Sequence, residues 1–482
     1  MPAALLPAPP PPSTIRADLL RRDLHAFVKA AWPVLEPGAE YRDGPHLELL
    51  SRALADLFDA WHTGHADHPA ARDLIVNVPP GHMKSLLCRV FFPAWAWATR
   101  PDCRFLHGSH SLQLAVRDNV KLRRLVTSAW YQERWPLGLV ADQNAKLRFE
   151  NEATGSSSVV SVGGGTGERF DIGLLDDPHD IEDRHSPAKL QSARDWVKDT
   201  WGSRKSDPRR SRSVLIMQRV HEDDATALLL DVSTPAPRHI CLPAAFESDH
   251  PHRSVDDWRT EDGEPLWPAM YPADLVAADQ RRYGSIAAAG LLQQRPTPAG
   301  GALFQDAWWR HHDGAPASAD QWVASWDMTF KDTKTADFVV GQVWCARGAD
   351  YYLVDQVRGR MDFVKARDAV TRLHERYPHV AAILVEESAN GPAIISSLRR
   401  AVPGLIAVPA RGSKEARAAA VSPLVEAGNV HLPDPRTSPW VDDFTAEARA
   451  FPLGKNDDQV DAMSQALARL QRDTVHYVRS VR

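Results

Sequence analysis

Short apolar runs alternate with amphipathic helical stretches from about residue 19 to residue 230. The runs lie at residues 74–78, 105–108, 172–175 and 214–217. A short apolar run is typical of a buried strand, and strands that alternate with helices indicate a parallel sheet. The pattern therefore predicts an α/β domain with a buried, largely parallel sheet over residues 19–232.

The pattern changes after this domain. Proline and glycine recur between residues 233 and 317 and interrupt regular structure, leaving one helix near residues 274–283. This segment is predicted to be a linker or small subdomain.

A different pattern begins at residue 321. Three apolar runs, at residues 322–328, 338–345 and 351–357, are joined by short segments that suit antiparallel hairpins. We then expect a helix at 363–376, a strand at 382–386, a helix at 392–401, a strand at 405–409 and further helix to residue 472. Three strands followed by alternating helix and strand is the order of a ribonuclease-H-like fold, predicted here for residues 318–472.

Length and composition agree with this organisation. At 482 residues the chain exceeds the size at which one hydrophobic core usually keeps growing, so two domains are expected. Residues 1–18 are expected to be a disordered lead-in without the features of a secretory signal, and residues 473–482 a C-terminal tail. No run approaches the roughly 20 apolar residues that span a bilayer, so no membrane role is predicted and the protein should stay in the cytosol.

Charge and cysteine content narrow the chemistry. With a formal net charge of −5, contact with nucleic acid has to come from local basic clusters, although such clusters are more often solvated surface. The basic candidates are Arg204, Lys205, Arg209, Arg210 and Arg212, then Arg411 and Lys414. The four cysteines, Cys88, Cys103, Cys241 and Cys345, form no Cys-x-x-Cys pair, which argues against a zinc ribbon or disulfide framework.

The first apolar run ends in a candidate phosphate loop at residues 77–85, Asn-Val-Pro-Pro-Gly-His-Met-Lys-Ser. Between a strand and a helix N-terminus, backbone N–H groups and the helix dipole can face phosphates. Lys84 would reach the β and γ phosphates, and the Ser85 hydroxyl would ligate Mg²⁺. Val78 and Met83 occupy places where glycine is expected, so an incidental Lys-Ser at a helix start is an alternative. The candidate cofactor-binding residues of the loop are Pro80, Gly81, His82, Met83, Lys84 and Ser85.

Two further segments can complete an ATPase site. The run at residues 170–178 ends in paired carboxylates, and we assign Asp176 to the Mg²⁺ shell and Asp177, where many ATPases use Glu, to polarising the attacking water. A strand-terminal turn closed by Asp-Asp-Pro is the structural alternative. The run at residues 213–217 delivers Gln218 and Arg219, which could sense the γ-phosphate. Arg169, beside Gly163, Gly164, Gly165 and Gly167, is either an arginine finger or a solvated loop arginine.

Acidic residues recur at three places in the second domain. Asp327 lies in an otherwise apolar strand, where a buried charge is costly unless it is paired or binds a metal. Glu386 ends another apolar run, and Asp457, Asp458 and Asp461 open an amphipathic helix. Each has a structural explanation, a helix cap or a salt bridge, but together they match an all-oxygen site for two Mg²⁺ or Mn²⁺ ions about 4 Å apart that cleaves phosphodiesters.

These motifs, in this order from about residue 27 to residue 470, resemble the large terminase subunits of tailed double-stranded DNA bacteriophages. The resemblance implies an N-terminal P-loop ATPase domain of the ASCE type, in which Gln218 and Arg219 belong to the coupling motif. It also implies a ribonuclease-H-like nuclease with Asp327, Glu386 and Asp458 as principal metal ligands. Asp457 and Asp461 would lie close by, Asp337 is a further candidate, and spacing leaves open whether Asp457 or Asp458 is the direct ligand.

The function implied by the resemblance is ATP-driven movement of double-stranded DNA into a procapsid, with metal-dependent cleavage of concatemers. The expected cofactors are ATP with Mg²⁺ for the motor and two Mg²⁺ or Mn²⁺ ions for the nuclease. The expected partners are double-stranded DNA, a portal protein, a small terminase subunit and copies of the chain itself, with five copies around the DNA. The protein is expected in the host cytoplasm, where it docks transiently on the procapsid, and not in the mature virion. The alternatives are a DNA-repair helicase with an attached nuclease, which would need a second motor domain, and a non-enzymatic prophage remnant.

Overall fold

The computed structural model describes residues 12–64, 72–164, 167–184, 186–296, 303–328, 338–387, 391–398, 402–409 and 412–480. The chain forms two compact units. The first comprises Met1–Gln280 and Ile286–Pro298, and the second comprises Arg281–Ser285 and Ala299–Arg482.

The first unit is built on an eight-stranded sheet. Its strands are β1 (Leu74–Asn77), β2 (Phe105–Ser109), β3 (Leu139–Asn144), β4 (Arg148–Asn151), β5 (Ser156–Ser161), β6 (Ile172–Asp176), β7 (Arg212–Met217) and β8 (Arg238–Cys241). The sheet order is β3-β4-β5-β2-β6-β7-β1-β8. All pairs from β5 to β8 are parallel, and only the β3–β4 and β4–β5 pairs are antiparallel. The predicted largely parallel α/β sheet is confirmed, and β7 separates the strand before the phosphate loop from the strand that ends at Asp176.

The helices of the first unit follow the predicted alternation. They are α1 (Pro12–Arg22), α2 (Leu24–Leu35), α3 (Pro45–Thr63), α4 (Lys84–Leu86), α5 (Phe92–Trp97), α6 (Leu112–Val126), α7 (Ala129–Gln132), α8 (Pro187–Asp195), α9 (Ala225–Val232) and α10 (Ala273–Leu291). Residues 281–285 of α10 group with the second unit, and the helix is kinked at Gly284. A π-helical turn, Leu87–Phe91, joins α4 to α5, and another, Trp196–Trp201, follows α8. Residues of α2, α3 and α6 pack with β1, β2, β6 and β7 in one core.

Three segments differ from the sequence-based expectation. Helix α1 begins at Pro12, inside the predicted lead-in, because Ala17 and Leu20 are buried in the core; residues 1–11 lie outside the described residues. Residues 233–280 and 286–298, predicted to be a linker, group with the first unit, since β8 pairs with β1 along its whole length. The last helix runs to Ser480, through most of the predicted tail.

The second unit carries a seven-stranded sheet. Its strands are β9 (Arg310–His312), β10 (Gln321–Met328), β11 (Val339–Arg347), β12 (Asp350–Gly359), β13 (Ala382–Glu386), β14 (Leu405–Val408) and β15 (Val430–Pro433), and its order is β14-β13-β10-β11-β12-β15-β9. Strands β10, β11 and β12 form the predicted antiparallel hairpins, and β13 and β14 extend the sheet in parallel from β10. The ribonuclease-H-like order is confirmed.

In the described part of the second unit, the helices that accompany this sheet are α11 (Phe363–Arg376), α12 (Gly391–Leu398), α13 (Lys414–Glu426), α14 (Trp440–Ala450) and α15 (Asp458–Ser480). Strand β15 was not predicted, because its four residues lie in a segment assigned to helix. It pairs with β12 and β9, and both of these strands are distant from it in sequence. Among the described residues, no helix is both long enough and apolar enough to cross a membrane.

Candidate functional site

The loop between β1 and α4 has the conformation of a phosphate cradle. Gly81 has a φ of 80° and Met83 a φ of 60°, so both lie in the left-handed region. A Cβ at Gly81 would lie 2.1 Å from the Tyr271 hydroxyl, so only glycine fits there. Met83, at a place where glycine is expected, adopts the same conformation as a non-glycine residue, at a cost of about 1–3 kcal/mol.

His82 and Pro80 shape the loop from inside. The His82 ring stacks on Tyr271 with centroids 4.7 Å apart, and its Nδ1 lies 3.0 Å from the Pro80 carbonyl oxygen. Burial lowers the pKa of His82 to about 4, so the ring is neutral at pH 7. A neutral ring holds the loop without adding positive charge beside Lys84.

Lys84 and Ser85 meet the ends of β6 and β7. The Lys84 ammonium donates to the Gln218 side-chain carbonyl, and the Ser85 hydroxyl donates to Asp176 Oδ1 at 3.0 Å. Lys84, Asp176 and Gln218 are all buried. The structure thus brings together four of the predicted site residues, because β1, β6 and β7 are neighbours whose carboxyl ends share one edge of the sheet.

Sequence reasoning missed Arg89, which holds the second oxygen of Asp176. Arg89 Nη1 lies 3.1 Å from Asp176 Oδ2 and 3.3 Å from Asp118 Oδ2, and its side chain is 0% exposed. A lone arginine in the apolar stretch of residues 86–92 was the available signal. Arg89 orients the carboxylate that Ser85 contacts from the other side.

Asp177 differs from its neighbour in environment. Its φ is 41°, and its carbonyl oxygen accepts hydrogen bonds from His110 N and Nδ1, at 3.1 and 2.7 Å. Its Oδ1 is enclosed and accepts no hydrogen bond. Burial, assisted by repulsion from Asp176 and opposed by Lys84, raises the pKa of Asp177 to about 6. A carboxylate with a raised pKa and an oxygen that has no hydrogen-bond partner can accept a proton from water.

Arg219 and Arg169 do not join this constellation. The Arg219 guanidinium pairs with both oxygens of Asp224, at 3.0 and 2.8 Å, and Asp224 caps the N-terminus of α9. Arg169 Nη1 donates a hydrogen bond to the Lys205 carbonyl oxygen at 3.4 Å. The predicted coupling pair therefore divides: Gln218 contacts the phosphate loop, whereas Arg219 secures the next helix.

Three residues of the first basic cluster, Lys205, Arg210 and Arg212, make contacts within the fold. Lys205 pairs with Asp73 at 2.8 Å, Arg212 is buried, and Arg210 donates to the carbonyl oxygens of residues 61 and 62 at 2.7 and 3.0 Å. Arg411 lies outside the described residues. All four cysteines are buried free thiols.

In the second unit, two strands and one helix bring the predicted carboxylates together. Trp326 of β10 pairs with Val385 of β13, so the next residues along each strand, Asp327 and Glu386, lie side by side. Helix α15 begins at Asp458 and packs on β10, where Gln465 Nε2 donates to Ser325 Oγ at 2.9 Å. We call Asp327, Glu386, Asp457, Asp458 and Asp461 the acidic cluster.

A buried polar network fixes the start of α15. Glu447 of α14 accepts from the backbone N–H and side-chain amide of Gln459, both at 2.7 Å, and from Arg358 at 2.7 Å. Gln356 Nε2 donates to Gln459 Oε1 at 2.8 Å. The network links β12, α14 and α15, so it positions Asp458 beside Gln459. Sequence patterning had no signal for it.

Burial and neighbouring carboxylates raise the pKa of two members of the acidic cluster, Asp327 and Asp458. Burial, with repulsion from Asp461, Glu386 and Asp458, raises the pKa of Asp327 well above its ordinary value. Burial, then repulsion from Glu447 and Asp457, raises the pKa of Asp458 to about 6. Positive charge brought close to these groups lowers their pKa again.

Two cations of α13 lie against the acidic cluster. Lys414 Nζ is 2.6 Å from Asp457 Oδ1 and 2.6 Å from Asp461 Oδ2. Arg417 Nη2 is 2.9 Å from Asp461 Oδ1 and 3.3 Å from Glu386 Oε2. Lys414 was expected as a DNA-contacting candidate, and Arg417 was missed because only the fold brings α13 to the acids.

The donor chemistry of both sites fits divalent cations. Carboxylate and hydroxyl oxygens are the ligands that Mg²⁺ and Mn²⁺ prefer, and the acidic cluster and the Ser85–Asp176 pair offer only these. Within the described part of the chain, however, no three histidine, cysteine or acidic side chains are arranged closely enough to hold an ion. Asp337 lies outside the described residues.

Comparison with known proteins agrees with this architecture. Residues 324–470 match the family model described as the terminase RNaseH-like domain. The large terminase from a thermophilic bacteriophage, in crystal form 2, is similar with a TM-score of 0.54 and 12% identity, covering 87% of this chain and 98% of that chain. The complex of the same phage's large terminase with ATP-γ-S has a TM-score of 0.51 and 13% identity, covering 86% and 97%. No curated protein sequence matches the chain.

The fold and the two sites define a P-loop domain with a parallel sheet followed by a ribonuclease-H-like domain. At 12–13% identity the solved structures show this fold for nearly the whole length of the chain. The family-model match over residues 324–470 agrees with the resemblance that the motifs of the second domain carry.

Proposed function

We propose that the chain packages DNA, hydrolysing ATP with its first unit and cutting double-stranded DNA with its second. The observation that carries the proposal is the convergence of Lys84, Ser85, Asp176 and Gln218 at one sheet edge. A family-model match to a terminase nuclease-type domain supports the cutting activity, and the complexes of the thermophilic phage's large terminase with ADP and ATP-γ-S support nucleotide use.

In the ATPase site each residue has a separate task. When ATP binds, the Lys84 ammonium breaks its hydrogen bond to Gln218 and contacts the β and γ phosphates instead. Asp177 accepts a proton from the attacking water. Ser85 and Asp176 would hold Mg²⁺, which would supply positive charge to neutralise the phosphates. Arg89 keeps Asp176 in place.

Gln218 can report whether nucleotide is bound. When phosphate takes the Lys84 ammonium, the Gln218 side chain loses its partner. The next residue, Arg219, is tied through Asp224 to the N-terminus of α9. Displacement of the end of β7 therefore reaches α9 directly, which gives hydrolysis a route to movement.

In the nuclease site, Asp327, Glu386 and Asp458 would hold two Mg²⁺ or Mn²⁺ ions, with Asp457 and Asp461 beside them. When bound, such ions would supply an activated water and stabilise the leaving oxygen of the phosphodiester. The buried Gln459–Glu447 network keeps Asp458 from moving away from the strand carboxylates.

The proposal extends to the partners and the place of action. These are double-stranded DNA, a portal protein, a small terminase subunit and a ring of five copies, acting in the host cytoplasm while docked on the procapsid.

Separate loss of the two activities tests the proposal. Lys84→Ala should abolish ATP hydrolysis and spare Mn²⁺-dependent cutting of plasmid DNA, and Asp327→Asn should do the reverse. Matched controls are Lys189→Ala and Asp368→Asn, which remove exposed charges from each unit and should change neither activity. Both variants should keep the circular dichroism spectrum of the wild type. Loss of both activities in either folded variant would refute the two-site assignment.

A further inference from the structure

Helix α13 presents two positive charges to the acidic cluster from successive turns. Lys414 and Arg417 are three residues apart, so they lie on one face of the helix. Between them they contact three carboxylates, two each, with Asp461 shared. No other basic residue lies on α13, so this face carries all of the positive charge of the helix.

Asp461 is the centre of this arrangement. Its Oδ2 pairs with Lys414 and its Oδ1 pairs with Arg417, at 2.6 and 2.9 Å, and its side chain is 2% exposed. Both oxygens of a buried carboxylate are therefore directed at protein cations. Glu386 shares Arg417, so a carboxylate at the end of β13 is engaged as well.

These contacts use the oxygens that a divalent ion would need. Ion pairs with Lys or Arg and coordination of a metal satisfy the same carboxylate lone pairs, so the two compete. In the described residues the acidic groups are not close enough together to hold an ion as they stand, and the guanidinium and ammonium lie among them. A metal that takes Asp457, Asp461 or Glu386 as a ligand therefore has to displace a cation from that carboxylate.

The two cations differ in how easily they can leave. The Lys414 side chain is 39% exposed, whereas that of Arg417 is 21% exposed. A lysine ammonium on a flexible stem can turn into water, while the planar guanidinium is held by two carboxylates. Lys414 is therefore the first to be displaced.

We propose that Lys414 and Arg417 compete with divalent metal for the acidic cluster, so that they set the metal affinity of the nuclease site and keep it closed when metal is scarce. The inference rests on the proposed nuclease function. It makes both residues positioning residues of the site, whose removal changes metal binding even without DNA.

Titration of the full-length chain with Mn²⁺ in the absence of DNA tests the competition. By calorimetry, Lys414→Gln should bind Mn²⁺ about tenfold more tightly than wild type, because a charge-assisted contact no longer has to be broken. In EDTA the same variant should melt at a lower temperature, because repulsion among the carboxylates loses a counter-charge. Arg417→Gln should behave alike with a larger loss of stability, and Lys414→Arg should restore the wild-type affinity.

Lys365→Gln is the matched control, since Lys365 is 71% exposed on α11 and pairs only weakly with Asp362, at 3.7 Å. If Lys414→Gln binds Mn²⁺ no more tightly than wild type but still cuts DNA, the proposed competition is wrong and the proposed nuclease function stands. A wild type that neither binds Mn²⁺ nor cuts DNA would overturn the proposed nuclease function, and the competition with it.

Discussion

The buried Arg89 offers a sharp test of the ATPase site, because its removal should destabilise the first unit. In Arg89→Met a side chain of similar length replaces the guanidinium and leaves Asp118 and Asp176 without their shared cation. Their side chains are 3% and 8% exposed, and that of Arg89 is 0% exposed. Removing one partner of a buried ion pair costs about 3–5 kcal/mol.

The expected cost is not doubled although two carboxylates lose a partner. Asp118 also pairs with Arg117 at 2.9 Å, and Asp176 also accepts from Ser85 at 3.0 Å. Each acid thus keeps one contact. Adding Asp118→Asn to Arg89→Met should recover about 1–3 kcal/mol, since one uncompensated charge is then removed.

Amide hydrogen exchange in the intact protein measures this cost within the first unit. Peptides that cover Ile172–Asp176 report the opening of β6, and exchange there should be faster by roughly two to four powers of ten in Arg89→Met. Arg52→Met is the matched control, because Arg52 pairs with Glu48 on the surface with both side chains more than half exposed, and such pairs contribute about 0–1 kcal/mol. A change below about 1 kcal/mol in Arg89→Met would refute the reasoning.

Two further predictions concern the same site. The pKa of Asp177 is about 6 in the folded protein, whereas that of an exposed aspartate is near 3.8. Protonated Asp177 therefore stabilises the metal-free wild type fully below pH 3.8, and this contribution is lost as the pH rises through 6. Asp177→Asn should not show this loss of stability, which is about 3 kcal/mol between pH 3.8 and 7 in the wild type. The variant should also lose ATP hydrolysis. The same pH dependence of the melting temperature in wild type and Asp177→Asn would count against the raised pKa. Gly81→Ala should weaken ATP binding at least tenfold and destabilise the loop by about 1–3 kcal/mol, since the methyl group would meet Tyr271. The control is Gly163→Ala, because Gly163 has a similar φ of 84° and a Cβ there would have no atom within 4 Å, so this variant introduces backbone strain alone. Equal effects of Gly81→Ala and Gly163→Ala on ATP binding would show that the contact with Tyr271 contributes nothing.

Local patterning was sufficient where side-chain periodicity decides the structure. The helix at residues 363–376 and the strand at 382–386 were predicted to the residue, because the buried positions of the helix follow the helical period and the strand is one continuous apolar run. The motif residues also converge where parallel strands end, since adjacent strands share one edge: Lys84, Asp176 and Gln218 are the examples.

Patterning was insufficient where pairing partners are distant. Strands β8 and β15 have only four residues each, and each exists because a remote strand supplies its hydrogen bonds. The first was assigned to a linker and the second to a helix. Helix α1 likewise extends into the proline-rich start because the core buries Ala17 and Leu20.

The sequence by itself determined the two-domain order and predicted which strand ends carry candidate functional groups, since spacing along the chain encodes these. Only the tertiary structure decided which charges face one another. Arg89 meets Asp176 across 87 positions, and Arg417 meets Asp461 across 44. Ion pairing depends on distance in space, and burial strengthens it, so neither its presence nor its strength is encoded in local sequence.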